Sequence, residues 1–203
     1  MRRRPRLLGA VLAGGEGKRF GGPKATARVA GRSLVSRAVD TLGGVVESVV
    51  VVSSRPVGPV DVPVLPDRTS GAGPLAGLES ALVEAEGRGL DGVFLLACDL
   101  PLVGEGLIRT VAEALGGGVA VAPARSGGGV EPLCAAWSVA VLPAARAALA
   151  SDDRSLHALF RTVGGRALAP EKLAARGHHP FLNVNTQDDR ARAEAALAEG
   201  DEP

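Results

Sequence analysis

Residues 7–24, LLGAVLAGGEGKRFGGPK, decide the fold of this chain. The first six residues form an apolar run that predicts a buried β-strand, in which Gly9 is the one weak position. The strand leads into a loop that contains five glycines and ends on a lysine. Glycine lets the backbone turn tightly and bring its N–H groups close to an anion, while Arg19 and Lys24 supply positive charge. The stretch therefore predicts a strand followed by a phosphate-binding loop.

This loop differs from two common phosphate-binding motifs. A Walker loop needs Ser or Thr after its Gly-Lys pair, whereas Gly17-Lys18 is followed by Arg19. The dinucleotide fingerprint needs a third glycine where this chain has Phe20. A flexible loop with solvated basic residues is the alternative, but it would place much positive charge directly after a buried strand. A nucleotide loop of another kind is therefore predicted.

The composition favours one compact α/β domain. Of the 203 residues, 46% are hydrophobic, but only four Phe, one Trp and no Tyr are present. The core is therefore expected to be aliphatic, as in parallel sheets covered by helices. The formal net charge of +1 and the scarcity of aromatic residues argue against nucleic acid as a partner. Cys98 and Cys134 show no metal-ligand or redox spacing, so reduced thiols in a cytoplasmic protein are expected.

Apolar runs with strand character alternate with helical patterns after the loop. Strands are predicted at residues 45–52, 62–65, 93–96, 119–122 and 133–138, and helices at residues 34–42, 75–86, 107–115, 143–149, 155–161 and 186–199. The alternation predicts a single domain over residues 1–203, with an open, mostly parallel, mixed sheet and helices on both faces. Residues 1–6 are expected to be a disordered basic N-terminus, and the apolar run behind them is too short for a signal peptide or a membrane span.

Two aspartates follow predicted strand ends. In open α/β sheets, ligands bind beyond the carboxyl ends of the strands. Asp67 follows the third predicted strand and Asp99 follows the fourth. A carboxylate at the tip of a buried strand is well placed to bind Mg²⁺ together with substrate phosphates, although Asp99 would equally suit a turn cap. The basic glycine loop favours the metal, because a nucleoside triphosphate normally arrives with Mg²⁺.

Two further segments are candidates for ligand contact. Residues 71–77, GAGPLAG, lead into a helix N-terminus, where the backbone would come close to a base or ribose; an ordinary loop is the alternative. Asn183 and Asn185 flank Val184 just before the last helix. Both side chains suit either a ligand contact or a helix cap.

These residues together resemble a known family. The loop LAGGEGKRFGGPK is similar to the signature loop of the nucleotidyltransferases that act on the molybdenum cofactor, and GPLAG, CDLP and NVNT follow in the family's order. The resemblance covers residues 12–193 and is nearest to the guanylyltransferase branch. It implies a Rossmann-like nucleotidyltransferase fold, Mg²⁺ as cofactor, and GTP and molybdopterin as substrates. It also implies molybdoenzymes or their chaperones as recipients of the product, and no membrane partner.

The resemblance assigns roles to individual positions. It implies nucleotide contacts by Leu12, Ala13, Gly14, Gly15, Lys24, Asp67 and Asp99. It implies catalytic roles for Arg19, Lys24 and Asp99, with Asp99 also binding the metal. Asn183 and Asn185 match late asparagines near the family's active site.

Three positions depart from the family pattern and leave alternatives open. Pro23 stands where Asp often precedes the loop lysine, Val52 where the guanylyl branch often has Asn, and Glu131 where a basic or amide residue is usual. Because valine cannot hydrogen-bond a base, cytidylyl transfer to molybdopterin remains an alternative, as does nucleotidyl transfer to a sugar or alcohol phosphate. A non-catalytic nucleotide-binding module is the alternative from another class.

Overall fold

The computed structural model describes residues 3–14, 24–69, 71–169, 171 and 179–200. Within these ranges the strands are β1 (Leu7–Leu12), β2 (Arg28–Val29), β3 (Arg32–Ser33), β4 (Ser48–Val52), β5 (Val64–Leu65), β6 (Gly92–Ala97), β7 (Ala120–Pro123), β8 (Cys134–Ser138) and β9 (Arg166–Leu168). The α-helices are α1 (Leu34–Gly43), α2 (Pro74–Gly87), α3 (Glu105–Leu115), α4 (Leu142–Leu149), α5 (Leu156–Thr162) and α6 (Gln187–Gly200). Short 3₁₀ helices cover Lys24–Thr26 and Val139–Val141.

Seven strands form one mixed sheet in the order β5-β4-β1-β6-β8-β7-β9. The neighbours β1–β4, β1–β6, β4–β5 and β7–β9 are parallel, and β8 is antiparallel to both β6 and β7. Because β8 is antiparallel to both of its neighbours, β6 and β7 run in the same direction. Their carboxyl ends therefore lie at the same edge of the sheet. β2 and β3 form a separate two-stranded hairpin.

Helices cover both faces of the sheet. On β1, Leu7 and Val11 belong to the apolar cluster that includes α1 and α3, whereas Leu8 and Ala10 belong to the cluster that includes α2, α4 and α5. This alternation along an entirely apolar strand is expected where a parallel sheet is buried on both sides. Gly9 allows a close approach on the first face, since a Cβ there would lie 2.9 Å from Val46 Cγ2.

The fold class predicted from the sequence is confirmed. Each predicted strand and helix is present within a few residues of its expected bounds, and Ser33 caps α1 by accepting a hydrogen bond from the Ser36 N–H. The sequence did not predict β2, β3 or β9. No helix among the described residues is long and apolar enough to cross a membrane.

Residues 3–6, part of the segment expected to be a disordered N-terminus, make contacts with the rest of the chain, and residues 1–2 lie outside the described residues. The Arg3 guanidinium donates to both carboxylate oxygens of Asp91, at 3.0 and 2.9 Å, and the Arg6 N–H donates to Asp91 Oδ2 at 2.7 Å. Arg4 pairs with Glu113 at 2.7 Å. Residues 3–6 are therefore bound to the residue before β6 and to α3 by carboxylates that the sequence pattern did not link to them.

Candidate active site

The carboxyl ends of β1 and β6 define the centre of the site. After β1, the chain adds β4 and β5 on one side of β1 and then returns to add β6 on the other side. The direction in which strands are added therefore reverses between β1 and β6. In open α/β sheets such a reversal opens a crevice for ligands. The Cys98 N–H donates to the Leu12 carbonyl at 3.0 Å, which fixes the residue before Asp99 to the start of the glycine loop. Asp99 and Gly14 therefore leave the sheet side by side.

A second carboxylate reaches this edge from β5. Asp67 is half-buried, and its Oδ2 accepts a hydrogen bond from the Ser54 hydroxyl at 3.1 Å. The preceding Ser53 is buried and contacts the Ala13 carbonyl through its hydroxyl at 3.4 Å. The two serines that follow β4 thus connect Asp67 to the first residue of the glycine loop.

The N-terminus of α2 lies beside these residues. Gly73, the residue before the helix, has φ 66° and ψ −153°, a conformation that is essentially restricted to glycine. Further along, a Cβ at Gly77 would lie 2.5 Å from Leu12 Cδ2 and 3.6 Å from Asp67 Oδ1. The absence of a side chain at Gly77 therefore permits Leu12 and Asp67 to occupy one corner of the site.

The segment at residues 183–186 closes the site next to Asp99. The Val184 N–H donates to the Asp99 carbonyl at 2.9 Å, and the Val184 side chain is fully buried in the core. The flanking Asn183 places its Oδ1 in a buried position without a hydrogen-bond partner among the described residues. A buried acceptor without a donor costs about 1–3 kcal/mol, so it is a feature that a ligand or ion would relieve.

A reciprocal cap holds this segment at the start of α6. Asp189 Oδ2 accepts hydrogen bonds from the Thr186 N–H and hydroxyl, each at 2.9 Å, and the Asp189 N–H donates to Thr186 Oγ1 at 3.1 Å. Asp189 Oδ2 also accepts from the Asn185 N–H at 3.0 Å. These hydrogen bonds, that of the Thr186 hydroxyl above all, lower the pKa of Asp189. The cap therefore fixes the backbone of Asn185 through a carboxylate that remains charged.

An ion pair between a half-exposed arginine and a buried glutamate lies on the side of β6 away from β1. The Arg125 guanidinium donates to Glu131 Oε2 at 3.0 Å, and the Leu133 N–H donates to Glu131 Oε1 at 3.3 Å. Burial raises the pKa of Glu131 above its ordinary value, and the Asp99 carboxylate adds to the rise. The Leu133 N–H and the Arg125 charge act in the opposite direction. The Ala97 N–H donates to the Leu133 carbonyl at 2.8 Å, which places Glu131 and Asp99 at the same edge of the sheet.

Comparisons with known proteins identify the family of this chain. Residues 9–187 match the family described as the MobA-like NTP transferase domain. The chain belongs to the MobA-like NTP transferase family. It is 36% identical over 196 residues to the molybdenum cofactor guanylyltransferase of Rhodobacter capsulatus, covering 95% of this chain and 97% of that one. It is 37% identical over 198 residues to the enzyme of the same name from Cereibacter sphaeroides, covering 95% and 97%.

A solved structure shares the fold of this MobA-like chain. The molybdopterin-guanine dinucleotide biosynthesis protein A from Archaeoglobus fulgidus superposes with a TM-score of 0.78. The two sequences are 22% identical, and the match covers 95% of this chain and 100% of the other. The family likeness and the fold likeness therefore both extend over nearly the whole chain.

Several of the predicted site residues of this MobA-like chain come together in the structure. Leu12, Gly14 and Asp67 lie on the β1–β5 side, while Asp99 and Asn183 lie at the end of β6. The Ala13 side chain is buried, and its N–H donates to the Val52 carbonyl at 3.1 Å, so Ala13 is held by the sheet. Gly15, Arg19 and the Lys24 side chain lie outside the described residues.

The side chain of Val52 does not face the site. It is 1% exposed and packs in the core cluster that contains residues of α2. The side chain at position 52 therefore offers no contact to a base. The residues that follow β4, Ser54, Arg55 and Pro56, are exposed and are better placed for such a contact. Among these, Ser54 is already hydrogen-bonded to Asp67.

Four polar residues near the site were not predicted as part of it: Ser53, Ser54, Ser80 and Arg125. The Ser80 hydroxyl accepts a hydrogen bond from the Arg68 N–H at 2.9 Å and so holds the residue after Asp67. For Ser53 and Ser54 a sequence signal existed, because they directly follow a predicted strand. Ser80 lies inside a helix and Arg125 after a strand in a glycine-rich turn, and neither position suggests its partner.

Replacing Gly77 by Ala is expected to weaken nucleotide binding without unfolding the protein. The new Cβ would force the flexible end of the Leu12 side chain into the corner that Leu12 shares with Asp67. We expect the KM for the nucleotide to rise by about 10-fold, measured by steady-state kinetics. Gly87→Ala is the matched control, because Gly87 lies in the same helix with open space around it. An equal effect of both substitutions would contradict the proposed contact.

Proposed function

We propose that this protein transfers GMP from GTP to the phosphate of molybdopterin and releases pyrophosphate. The main support is its likeness, over nearly the whole of both chains, to relatives named molybdenum cofactor guanylyltransferase. The site adds support, because the first residues of the glycine loop, Ala13 and Gly14, and the carboxylates of Asp67 and Asp99 follow strands at the edge where α/β sheets bind nucleotides. We also propose a cytoplasmic location, supported by two cysteines that are free thiols.

The residues at the end of β6 fit a magnesium ion. Mg²⁺ binds oxygen ligands and is often held by one or two carboxylates together with substrate phosphates. Asp99 supplies a carboxylate, and the unpartnered Oδ1 of Asn183 is a second oxygen next to the Asp99 backbone. No group of three or more His, Cys, Asp and Glu among the described residues would hold a metal alone. When bound, the ion would neutralise negative charge on the reacting phosphates.

The transfer needs positioning more than proton removal. An oxygen of the molybdopterin phosphate forms a bond to the α-phosphorus of GTP, and the bond from that phosphorus to the β-phosphate oxygen breaks. Pyrophosphate leaves with the electron pair. A phosphate monoester is already an anion at neutral pH, so no general base is required. In this proposal Leu12, Gly14 and Asp67 orient the nucleotide.

Charged residues complete the proposed machinery. Lys24 and Arg19 neutralise the departing pyrophosphate, as the family resemblance implies. Asp99 fixes the position of the α-phosphate, with Asn183 and Asn185 beside it. Ala13 and Gly15 complete the nucleotide contacts that the family resemblance implies.

Pyrophosphate release tests the proposal. The purified protein is incubated with Mg²⁺ and molybdenum-loaded molybdopterin, in parallel with GTP, CTP and ATP. Release with GTP alone is the expected result. Release with CTP would move the protein to cytidylyl transfer, a rival that remains open because Val52 cannot select a base. Nucleotide binding without release would favour a binding module, and release only with a sugar or alcohol phosphate as acceptor would change the substrate class.

A further inference from the structure

The pair formed by Arg125 and Glu131 is unusual because its two members differ in exposure. The Glu131 side chain is 8% exposed, whereas that of Arg125 is 49% exposed. Within the described part of the chain, Glu131 is the partner of the Arg125 guanidinium. Arginine has five N–H donors, so this guanidinium has donors left for a ligand. An ion pair with a half-exposed member contributes little to stability, so stability alone does not account for this one.

Backbone contacts fix the position of Arg125. Its N–H donates to the Gly129 carbonyl at 3.1 Å, and its carbonyl accepts from the Gly128 N–H at 3.0 Å. Gly128 and Gly129 have φ of 91° and 76°, values that favour glycine. The Glu131 N–H donates to the Pro123 carbonyl at 2.9 Å and closes the same turn. The hydrogen bonds of the turn between β7 and β8 therefore fix the backbone of Arg125.

This turn lies at the same edge of the sheet as Asp99, on the side away from Asp67. β8 pairs with β6, and the Ala97 N–H donates to the Leu133 carbonyl at 2.8 Å, two residues before Asp99 and two after Glu131. Asp67 and Leu12 belong to the β1–β5 half of the sheet, so Asp99 lies between them and the turn. In an in-line transfer the acceptor approaches from the side opposite the leaving group. If pyrophosphate departs over the glycine loop that follows β1, the β7–β8 turn, on the other side of β6, is on the side where the acceptor would enter.

The charge at this edge calls for a cation. Asp99 and Glu131 are two carboxylates at the same edge of the sheet, each two residues from the hydrogen bond between the Ala97 N–H and the Leu133 carbonyl, and an acceptor phosphate would add further negative charge. Arginine is suited to phosphate because its planar fork donates two parallel hydrogen bonds. A carboxylate only accepts hydrogen bonds and cannot donate to a phosphate, so Glu131, whose Oε2 accepts from Arg125, orients Arg125 and does not itself bind the ligand.

We propose that Arg125, oriented by Glu131, binds the phosphate monoester of the acceptor substrate. The inference rests on the proposed nucleotidyl transfer and adds the residue that holds the acceptor. Arg125 is the ligand-binding member of the pair, and Glu131 is a positioning residue.

Steady-state kinetics of Arg125→Gln test this inference. We expect the KM for molybdopterin to rise about 10- to 100-fold, with the KM for GTP unchanged. Arg125→Lys keeps the charge without the fork and should recover part of the loss. Glu131→Gln should raise the KM for molybdopterin less than Arg125→Gln does. A rise in the KM for GTP that equals the rise for molybdopterin would overturn the proposal.

Arg146→Gln is the matched control. Arg146 pairs with Glu79 at 3.3 Å, and their side chains are 56% and 7% exposed, nearly the same as in the Arg125 pair. That pair joins α4 to α2 and includes no residue of the β7–β8 turn. The control should leave the KM for molybdopterin unchanged, and an increase matching that of Arg125→Gln would overturn the proposal.

Direct binding separates this inference from the proposed function. Molybdopterin binding is measured by anaerobic ultrafiltration without nucleotide, for the wild-type chain and for Arg125→Gln. If the wild-type chain releases no pyrophosphate with any nucleotide, the proposed function fails, but weaker binding by Arg125→Gln still supports the acceptor site. Equal binding by both chains, or no binding by the wild type, overturns it.

Discussion

Replacing Asp99 by Asn is expected to lower the rate of pyrophosphate release by about 10²- to 10⁴-fold, because a clamp on the reacting phosphates is lost. The substitution keeps the shape of the side chain and removes its charge. The Asp99 carbonyl still accepts the Val184 N–H, so the backbone around the site is retained. The measurement is kcat with saturating GTP, together with the thermal unfolding midpoint, which should change little.

Asp91→Asn is the control for that substitution. Asp91 and Asp99 lie at opposite ends of β6, so one strand carries both a surface carboxylate and a site carboxylate. Asp91 binds Arg3 and the Arg6 N–H at the surface, where an ion pair contributes about 0–1 kcal/mol. Its loss should leave the rate unchanged. Near-normal turnover by Asp99→Asn would contradict the assignment of metal and phosphate binding to Asp99.

The magnesium requirement follows from the same residue. If Asp99 and Asn183 hold Mg²⁺ with the substrate phosphates, the rate of the wild-type chain depends steeply on Mg²⁺ concentration. The Asp99→Asn chain should need more Mg²⁺ for its residual rate, because one charged ligand is missing. The shift in the Mg²⁺ dependence distinguishes a metal ligand from a residue that only shapes the site.

Much of the sheet could be predicted from the sequence because its signals are local. The six apolar residues of β1 and the apolar run before Asp99 are recognised as strands without knowledge of their neighbours in the sheet. Ser33 is a residue type that favours the start of a helix, here α1. The short hairpin of β2 and β3 carries no such signal, since each strand has two residues. Its turn places Ala30 at φ 48°, a conformation that Asn and Gly adopt more readily. Either of those residues at position 30 would have predicted the hairpin.

The parts of the site that the sequence did not predict depend on contacts between residues far apart in the chain. Glu131 stood out in the sequence only as a departure from the family pattern, because its burial and its pairing with Arg125 depend on the turn between β7 and β8. The direction of β8 was likewise not predictable, since an apolar run indicates a strand but not its orientation. For Asn183, the sequence left capping and ligand contact open, and the buried, unpartnered Oδ1 favours the latter.

Replacing Asn183 by Leu is expected to lower activity by about 10²-fold while leaving stability unchanged or raised. Leucine has a similar size but no polar atom, so the free-energy cost of the unpaired Asn183 Oδ1 disappears from the folded state. The site at the same time loses the oxygen that would bind the ligand. The measurements are kcat and the free energy of unfolding in urea. A stability loss that accounts for the lost activity would show that Asn183 has a structural role.

The neighbouring Val184→Ala should give the opposite pattern. Val184 is fully buried, and removing its two methyl groups should cost roughly 2 kcal/mol of unfolding free energy. Its N–H still donates to the Asp99 carbonyl, so activity should persist wherever the chain stays folded. Adjacent residues would then separate the two requirements of this segment: position 184 holds it in the core, and position 183 leaves an oxygen unpaired for the ligand. If both variants lost activity and stability in proportion, that division would be wrong.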